Sequence, residues 1–295
     1  MKQSLGLSSV LVTTLVTAAL SACGGGDDAN PFSAAAAAPS SSAAPASPQP
    51  AQPAQPSAPT ACRPNGKFTY SGSASQIAAN NGQLAVVVVP SLPAAYAKNR
   101  NFTAPNAPAS SQVQQASGAF TTLASSAAET DCLGLDHGAV TEIQSVGTDV
   151  AIGRWNQAMD TDGNTYTSQQ GVHYAVGTPL QLMATSGTLA CTQLMADTVA
   201  NGDGGAAGTL GTSSATLDLA TRTLNNLSLS INLMNTPYTL TSVQAPLNGV
   251  SKTGQLSVQS VVVGHDATQP LIAVGYSATL PSTDGIGGVV VLSCK

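Results

Sequence analysis

The chain of 295 residues is poor in charge: 8% of it is Asp, Glu, Lys or Arg against 42% hydrophobic residues, and nine basic residues face fourteen acidic ones for a net −5. That balance excludes a nucleic-acid partner, because no basic stripe is present to release the counterions of a polyanion, and it supplies no polybasic patch for anionic lipid. A surface so short of Lys and Glu has to be wetted by Ser, Thr, Asn and Gln, which agrees with a location outside the cytoplasm.

Met1 and Lys2 make a short positive start, and Leu5 to Leu20 an apolar run broken only by Ser, Thr, Gly and Ala. This is the layout of a signal peptide, too short and too rich in hydroxyls for a bilayer-spanning helix. Leu20-Ser21-Ala22-Cys23 at the end of the run resembles the lipobox of bacterial lipoproteins. The resemblance implies cleavage before Cys23 and a diacylglyceryl group on its thiol. The alternative is an ordinary secretory signal with an incidental Cys. Acyl chains contribute about 0.8 kcal/mol per buried CH₂, so two or three of them anchor stably. Gly24 stands where lipoproteins of this type carry Asp as an inner-membrane retention signal, which implies the outer membrane. Residues 1–22 are therefore expected to be the signal, and 23–60 the lipid anchor and linker. From Asp27 to Thr60 the linker is Ala, Pro, Ser and Gln with almost nothing to bury, and reads as a disordered, partly polyproline spacer.

With Cys23 assigned to lipid, Cys62, Cys132, Cys191 and Cys294 remain, an even number in an oxidising compartment. Three pairings are possible. Cys62 with Cys132 and Cys191 with Cys294 is favoured, since the first two bracket an N-terminal segment and the last two lie in strand-like runs. No pair has the C-x-x-C spacing of a redox or zinc site.

Residues 61–147 read as a small mixed segment. Gln83 to Val89 ends in four valines before Pro90 and predicts a buried strand. Val113, Ala116, Phe120, Leu123 and Ala127 recur at three- and four-residue steps, which predicts an amphipathic helix over Ser111 to Glu129 packed on the remainder. From residue 148 to 295 strand-like runs follow one another between Gly, Asn, Asp and Pro clusters. Leu227-Ser228-Leu229-Ser230-Ile231-Asn232-Leu233 alternates perfectly, with one dry and one wet face. Eight or nine such runs without intervening helices predict a mainly β chain whose C-terminal part is an antiparallel, up-and-down, eight-stranded barrel.

Gly153-Arg154-Trp155, His173-Tyr174-Ala175-Val176-Gly177 with Pro179, Ser186-Gly187-Thr188, Gly208-Thr209-Leu210 and the terminal Gly288 to Leu292 follow one another in a familiar order. They resemble the eight-stranded, lipocalin-like barrel of transferrin-binding protein B and related surface lipoproteins, over roughly the last half of the chain. The resemblance implies that Gly153, Arg154, Trp155, His173, Tyr174 and Gly177 are barrel-motif residues, with Trp155 plugging one barrel end and Arg154 lying across it in a cation-π contact. The sequence departs from the family where Leu189-Ala190-Cys191 lacks the usual aromatic and where Val261 to Val263 and Leu271 to Tyr276 replace a Gly- and Phe-rich strand. Nothing resembles the handle domains or long binding loops of a transferrin receptor.

Chemistry is thin. No Gly-x-Ser-x-Gly elbow, His-Glu-x-x-His, Walker loop or dinucleotide fingerprint occurs. Only His137, His173 and His265 exist to serve a Ser/His/Asp or metal site; His137 reads as a solvated loop residue and His173 as packing beside Tyr174. Asp160-Thr161-Asp162-Gly163-Asn164 and Asn201-Gly202-Asp203-Gly204 carry oxygens suited to calcium but lack the distal Glu of an EF-hand loop, so they read first as hairpin turns. No catalytic residue, metal or cofactor is expected. The function expected is a non-enzymatic binding lipoprotein of the envelope, monomeric, held to the outer membrane by its lipid and capturing a protein, iron carrier or small ligand. A structural envelope protein is the alternative, and a hydrolase the weakest reading. A dry, packed barrel interior would turn binding toward the loops.

Overall fold

Four consecutive valines in one strand need apolar surroundings on both faces, and the computed structural model shows where they come from. It describes residues 62–295 apart from 65, 98, 99, 282 and 284. The expected signal peptide, Cys23 and the linker to residue 60 lie outside the described residues. The first sheet comprises β1 (Phe68–Gly72), β2 (Gln83–Ser91), β3 (Phe102–Pro108), β4 (Val113–Gln114), β5 (Phe120–Ala124), β6 (Cys132–Val146), β7 (Val150–Asp160) and β8 (Gly171–Gly177). Its order is β3-β2-β8-β7-β6-β5-β4, with β1 parallel to β6, and it curls into a half-barrel.

The second sheet comprises β9 (Thr188–Ala196), β10 (Ala200–Asn201), β11 (Thr209–Asp218), β12 (Thr223–Leu233), β13 (Thr236–Pro246), β14 (Gly249–Thr253), β15 (Leu256–Val263), β16 (Leu271–Ala278) and β17 (Ile286–Cys294). Apart from the short β10, which pairs β17, neighbours follow chain order and β17 returns to pair with β9. This is the expected up-and-down, eight-stranded barrel, closed except for a seam between β13 and β14. Side chains bridge the seam: Ser260 Oγ donates to the Pro246 carbonyl at 3.0 Å, and the Val262 N–H to Asn248 Oδ1 at 3.0 Å.

Three apolar clusters account for the patterning. Leu217, Leu224, Leu227, Leu229 and Ile231 fill the barrel with Tyr276, Val290 and Leu292. Ser228, Ser230 and Asn232 stand outside the buried set, so this wall is apolar inside and polar outside, the reverse of a bilayer-spanning barrel. Val86 and Val88 join Phe120, Trp155 and Tyr174 inside the half-barrel. Their neighbours Val87 and Val89 face the other way, onto Val261, Val263, Ala273, Val289 and Val291 of the barrel. Strands β2, β16 and β17 are thus buried on both faces and read as continuous apolar runs instead of alternating ones. Gly275 sits where the sheets come closest: a Cβ there would lie 2.5 Å from Val89 Cγ2 and 2.6 Å from Val87 Cγ1.

Two expectations are corrected. Ser111 to Glu129 is not a helix: it runs from the end of one 3-10 turn (Ala109–Ser111) through β4, a tight turn and β5 to the start of another (Glu129–Asp131). All five residues of Phe120–Ala124 are buried, and the stripe that matched helical spacing is split: Phe120 and Leu123 lie on β5, Val113 on β4, and Ala116 and Ala127 are exposed between elements. Gly118, at φ 88°, turns the chain back, and the Gln112 side chain bonds the Ala124 N–H and carbonyl as a strand partner would. The barrel also begins later than residue 148: β7 and β8 pair with β6 and β2 in the first sheet, and the barrel starts at Thr188.

Candidate functional site

The residues picked out as a barrel motif come together on the β7–β8 ladder of the half-barrel. Gly153 pairs with Tyr174, Arg154 with His173 and Val150 with Gly177. Successive side chains of a strand point to opposite faces, which divides the motif in two. On the inner face a Cβ at Gly153 would lie 2.3 Å from the Tyr174 hydroxyl, so glycine is what lets the phenol lie across the strand. That hydroxyl accepts the Phe120 N–H at 3.1 Å, and Trp155 Nε1 donates to the Phe120 carbonyl at 2.8 Å. Burial pushes the Tyr174 hydroxyl's pKa up. Trp155 is therefore a core residue of the half-barrel, not a plug of the eight-stranded barrel. Arg154, one residue away, faces the other side and does not lie on the indole.

On that outer face Arg154 donates through Nε and Nη2 to Glu142 Oε1 at 3.0 and 2.7 Å, and through Nη1 to the Ser168 and Gln170 carbonyls. Glu142 sits at φ 58° on a bulge of β6, a left-handed conformation uncommon for any residue but glycine, and the bulge re-aims its side chain. Its second oxygen accepts the Thr198 N–H. Burial alone would raise the Glu142 carboxyl, but Arg154 and the Thr198 N–H outweigh it and hold it below its ordinary value.

Beside this pair, His173 Nδ1 bonds Asp197 Oδ2 and Nε2 lies 3.1 Å from Ser91 Oγ. Asp197 Oδ1 accepts the Val289 N–H at 2.8 Å. Burial raises the Asp197 carboxyl, partly opposed by His173 and the Val289 amide. Hydroxyl, imidazole and carboxylate are in the order of a nucleophilic triad, yet the site is closed. Ser91, His173 and Asp197 are 3%, 0% and 5% exposed, and Gly287 packs so near that a Cβ there would lie 2.5 Å from Ser91 Oγ. An acyl carbon has no room to approach. The three residues instead tie β2 and β8 of the half-barrel to β17 of the barrel through a satisfied polar bridge.

An open site lies at the other end of β2. A cleft of about 510 Å³ is lined by Asn80, Asn81, Gln83, Pro105 and Asn106 of the first sheet, by Pro179 to Leu182, and by Arg222, Leu247, Asn248 and Val262 of the barrel. That volume falls within the roughly 300–1,000 Å³ of small-molecule sites. Six carboxamides and one guanidinium converge on it, with no acidic and no aromatic side chain. Two of the amides are fixed: Asn80 Nδ2 donates to the Pro179 carbonyl at 3.1 Å, and Asn248 Oδ1 accepts the Val262 N–H at 3.0 Å. Arg222 Nη2 donates to the Leu182 carbonyl at 3.0 Å, while its buried Nη1 meets no protein acceptor.

A second cleft, of about 610 Å³, flanks the Cys62–Cys132 disulfide. Its Arg100 is already committed, bonding Asp160 at 2.8 Å and also Asp162. The oxygens of Asp160, read as a candidate for calcium, are occupied by Arg100, Tyr166, Asn164 and the N–H of Asp162. The Asp160 to Asn164 segment is a hairpin turn. His137 lies beside Asp136 and His265 beside Asp149, both pairs partly exposed. The favoured disulfides are both present, Cys62–Cys132 and Cys191–Cys294. Reading the sequence did not find Ser91, Glu142, Asp197 or Arg222 as site residues. Asp197 and Arg222 are single charges in turn-like contexts, and only pairing across 24 or more residues gives them partners. A scan of protein-family models finds no match to this chain, and neither does a search of curated proteins.

Proposed function

We propose that the chain is an exported lipoprotein, anchored to the outer membrane through Cys23, that acts as a non-enzymatic binding module for a small polar ligand. The observation that carries the binding role is the amide-lined cleft shared by half-barrel and barrel. The barrel interior, by contrast, is filled by leucine, isoleucine and valine side chains and Tyr276, so recognition falls to the barrel end and its turns. The closed setting of Ser91, His173 and Asp197 supports a structural role for that triad-like arrangement. The signal-like start, the lipobox resemblance at Cys23 and the two disulfides agree with an envelope address. The resemblance to the transferrin-binding protein B barrel supports the same class of role without supplying transferrin as the ligand.

The address is tested by treating cells with a signal peptidase II inhibitor: processing is expected to stop, and unchanged processing refutes the lipid on Cys23. Binding is tested by equilibrium dialysis of the full chain against a low-molecular-weight cell and medium extract, read by mass spectrometry beside an Asn106→Trp variant that fills the cleft. Enrichment of a compound by the wild type and its loss in the variant is the expected result. Equal retention by both proteins refutes binding at the cleft.

A further inference from the structure

Arg222 stands at an unusual place for an arginine. It occupies the two-strand turn between β11 and β12 at φ 57°, a left-handed position that Gly or Asn fills with less strain. Arg222 lines the cleft; its Nη2 is held by the Leu182 carbonyl, and its Nη1, buried, has no acceptor from the protein. A buried cationic donor left unmade is costly, and strain of this kind persists where a site requires it. The chain carries a net −5, yet this cleft is lined by one cation and no anion.

We infer that the cleft binds a small organic carboxylate that also bears hydroxyl or amide groups, with the Arg222 guanidinium receiving the carboxylate. This rests on the binding role proposed above and adds the chemical class of ligand. A planar fork matches a carboxylate in shape as well as charge. The two anchored amides offer complementary groups to the rest of the ligand: Asn80, whose nitrogen is engaged, presents its oxygen, and Asn248, whose oxygen is engaged, presents its nitrogen. No ring lines the cleft on which a nucleobase would stack, so a nucleotide is disfavoured.

Sugar acids and peptide C-termini share this chemistry, and paired probes separate them. Calorimetric titration of the full chain compares sodium D-glucuronate with D-glucose, and N-acetyl-dialanine with its C-terminal carboxamide. At least one carboxylate is expected to bind about tenfold or more tighter than its uncharged twin. Arg222→Asn suits the left-handed backbone, so it is expected to keep or raise the melting temperature while abolishing the preference for charge. No saturable heat from either carboxylate, equal binding of the twins, or Arg222→Asn binding like the wild type overturns the inference. Where an uncharged twin binds and Asn106→Trp blocks it, the carboxylate assignment falls while the cleft stands as a binding site.

Discussion

Asp197 carries two bonds in the buried polar bridge, one from His173 and one from the Val289 amide. Asp197→Ala leaves both donors buried and unpaired, and denaturant unfolding is expected to show a loss of about 2–5 kcal/mol. The carboxyls of this cluster also set opposite pH dependences. Glu142 titrates below its ordinary 4.5 in the folded chain, so its contribution is present above 4.5 and lost as pH falls through the lowered value. Asp197 is raised above 3.8, so its contribution is present below 3.8 and lost as pH rises through the raised value. Melting curves are therefore expected to show the wild type's advantage over Glu142→Gln shrinking on acidification. The difference between wild type and Asp197→Asn is expected to move the other way, in favour of the variant as pH rises. A pH-independent difference in either pair contradicts the assignment. None of this was legible in the sequence, where His173 reads as an alternating-strand residue and its partners lie 82 and 24 positions away.

At the scale of elements, strand identity was easier to read than strand partnership. The alternation of Leu227 to Leu233 and the valine run of β2 announce strands, and both form. The runs do not say which sheet a strand joins, because β7 and β8 look alike whether they open a barrel or complete a half-barrel. Strand β6 has no legible strand pattern in the sequence: Gly134 and Gly138 and several bulges interrupt it, and its register is fixed by β7 rather than by its own period. The helix expected at 111–129 does not form because its apolar spacing spans two short strands and the turns around them: only Phe120 and Leu123 share β5, while Ala116 and Ala127 are exposed. Packing between sheets gives a direct test. Gly275→Ala pushes a methyl into Val87 and Val89 and is expected to cost about 1–3 kcal/mol, less than additively with Val89→Ala. The Cys191–Cys294 bridge joins the first and last strands of the barrel at directly paired positions. Replacing both cysteines by Ala is expected to lower unfolding stability by about 2–5 kcal/mol.

For the whole molecule, two curved sheets share an apolar interface that is closed by a polar bridge at one end of β2 and opens as a cleft at the other. The fold class follows from runs and turns, and the number of disulfides from cysteine parity; parity leaves three pairings, among which position along the chain favours the two that form. The cleft does not, because its walls come from segments about a hundred residues apart, such as Asn80 and Pro179, which meet only after the sheets have packed. The account's central claim is that ligand is taken at that cleft and not inside the barrel. Amide hydrogen exchange of the full chain, with and without the compound retained in dialysis, tests it most directly. The result expected is slowed exchange confined to residues 80–83, 106, 180–182, 222 and 247–248, with β12 and β16 unchanged. Protection centred on the barrel-lining strands β12 and β16, or on the Cys62–Cys132 side, would contradict it.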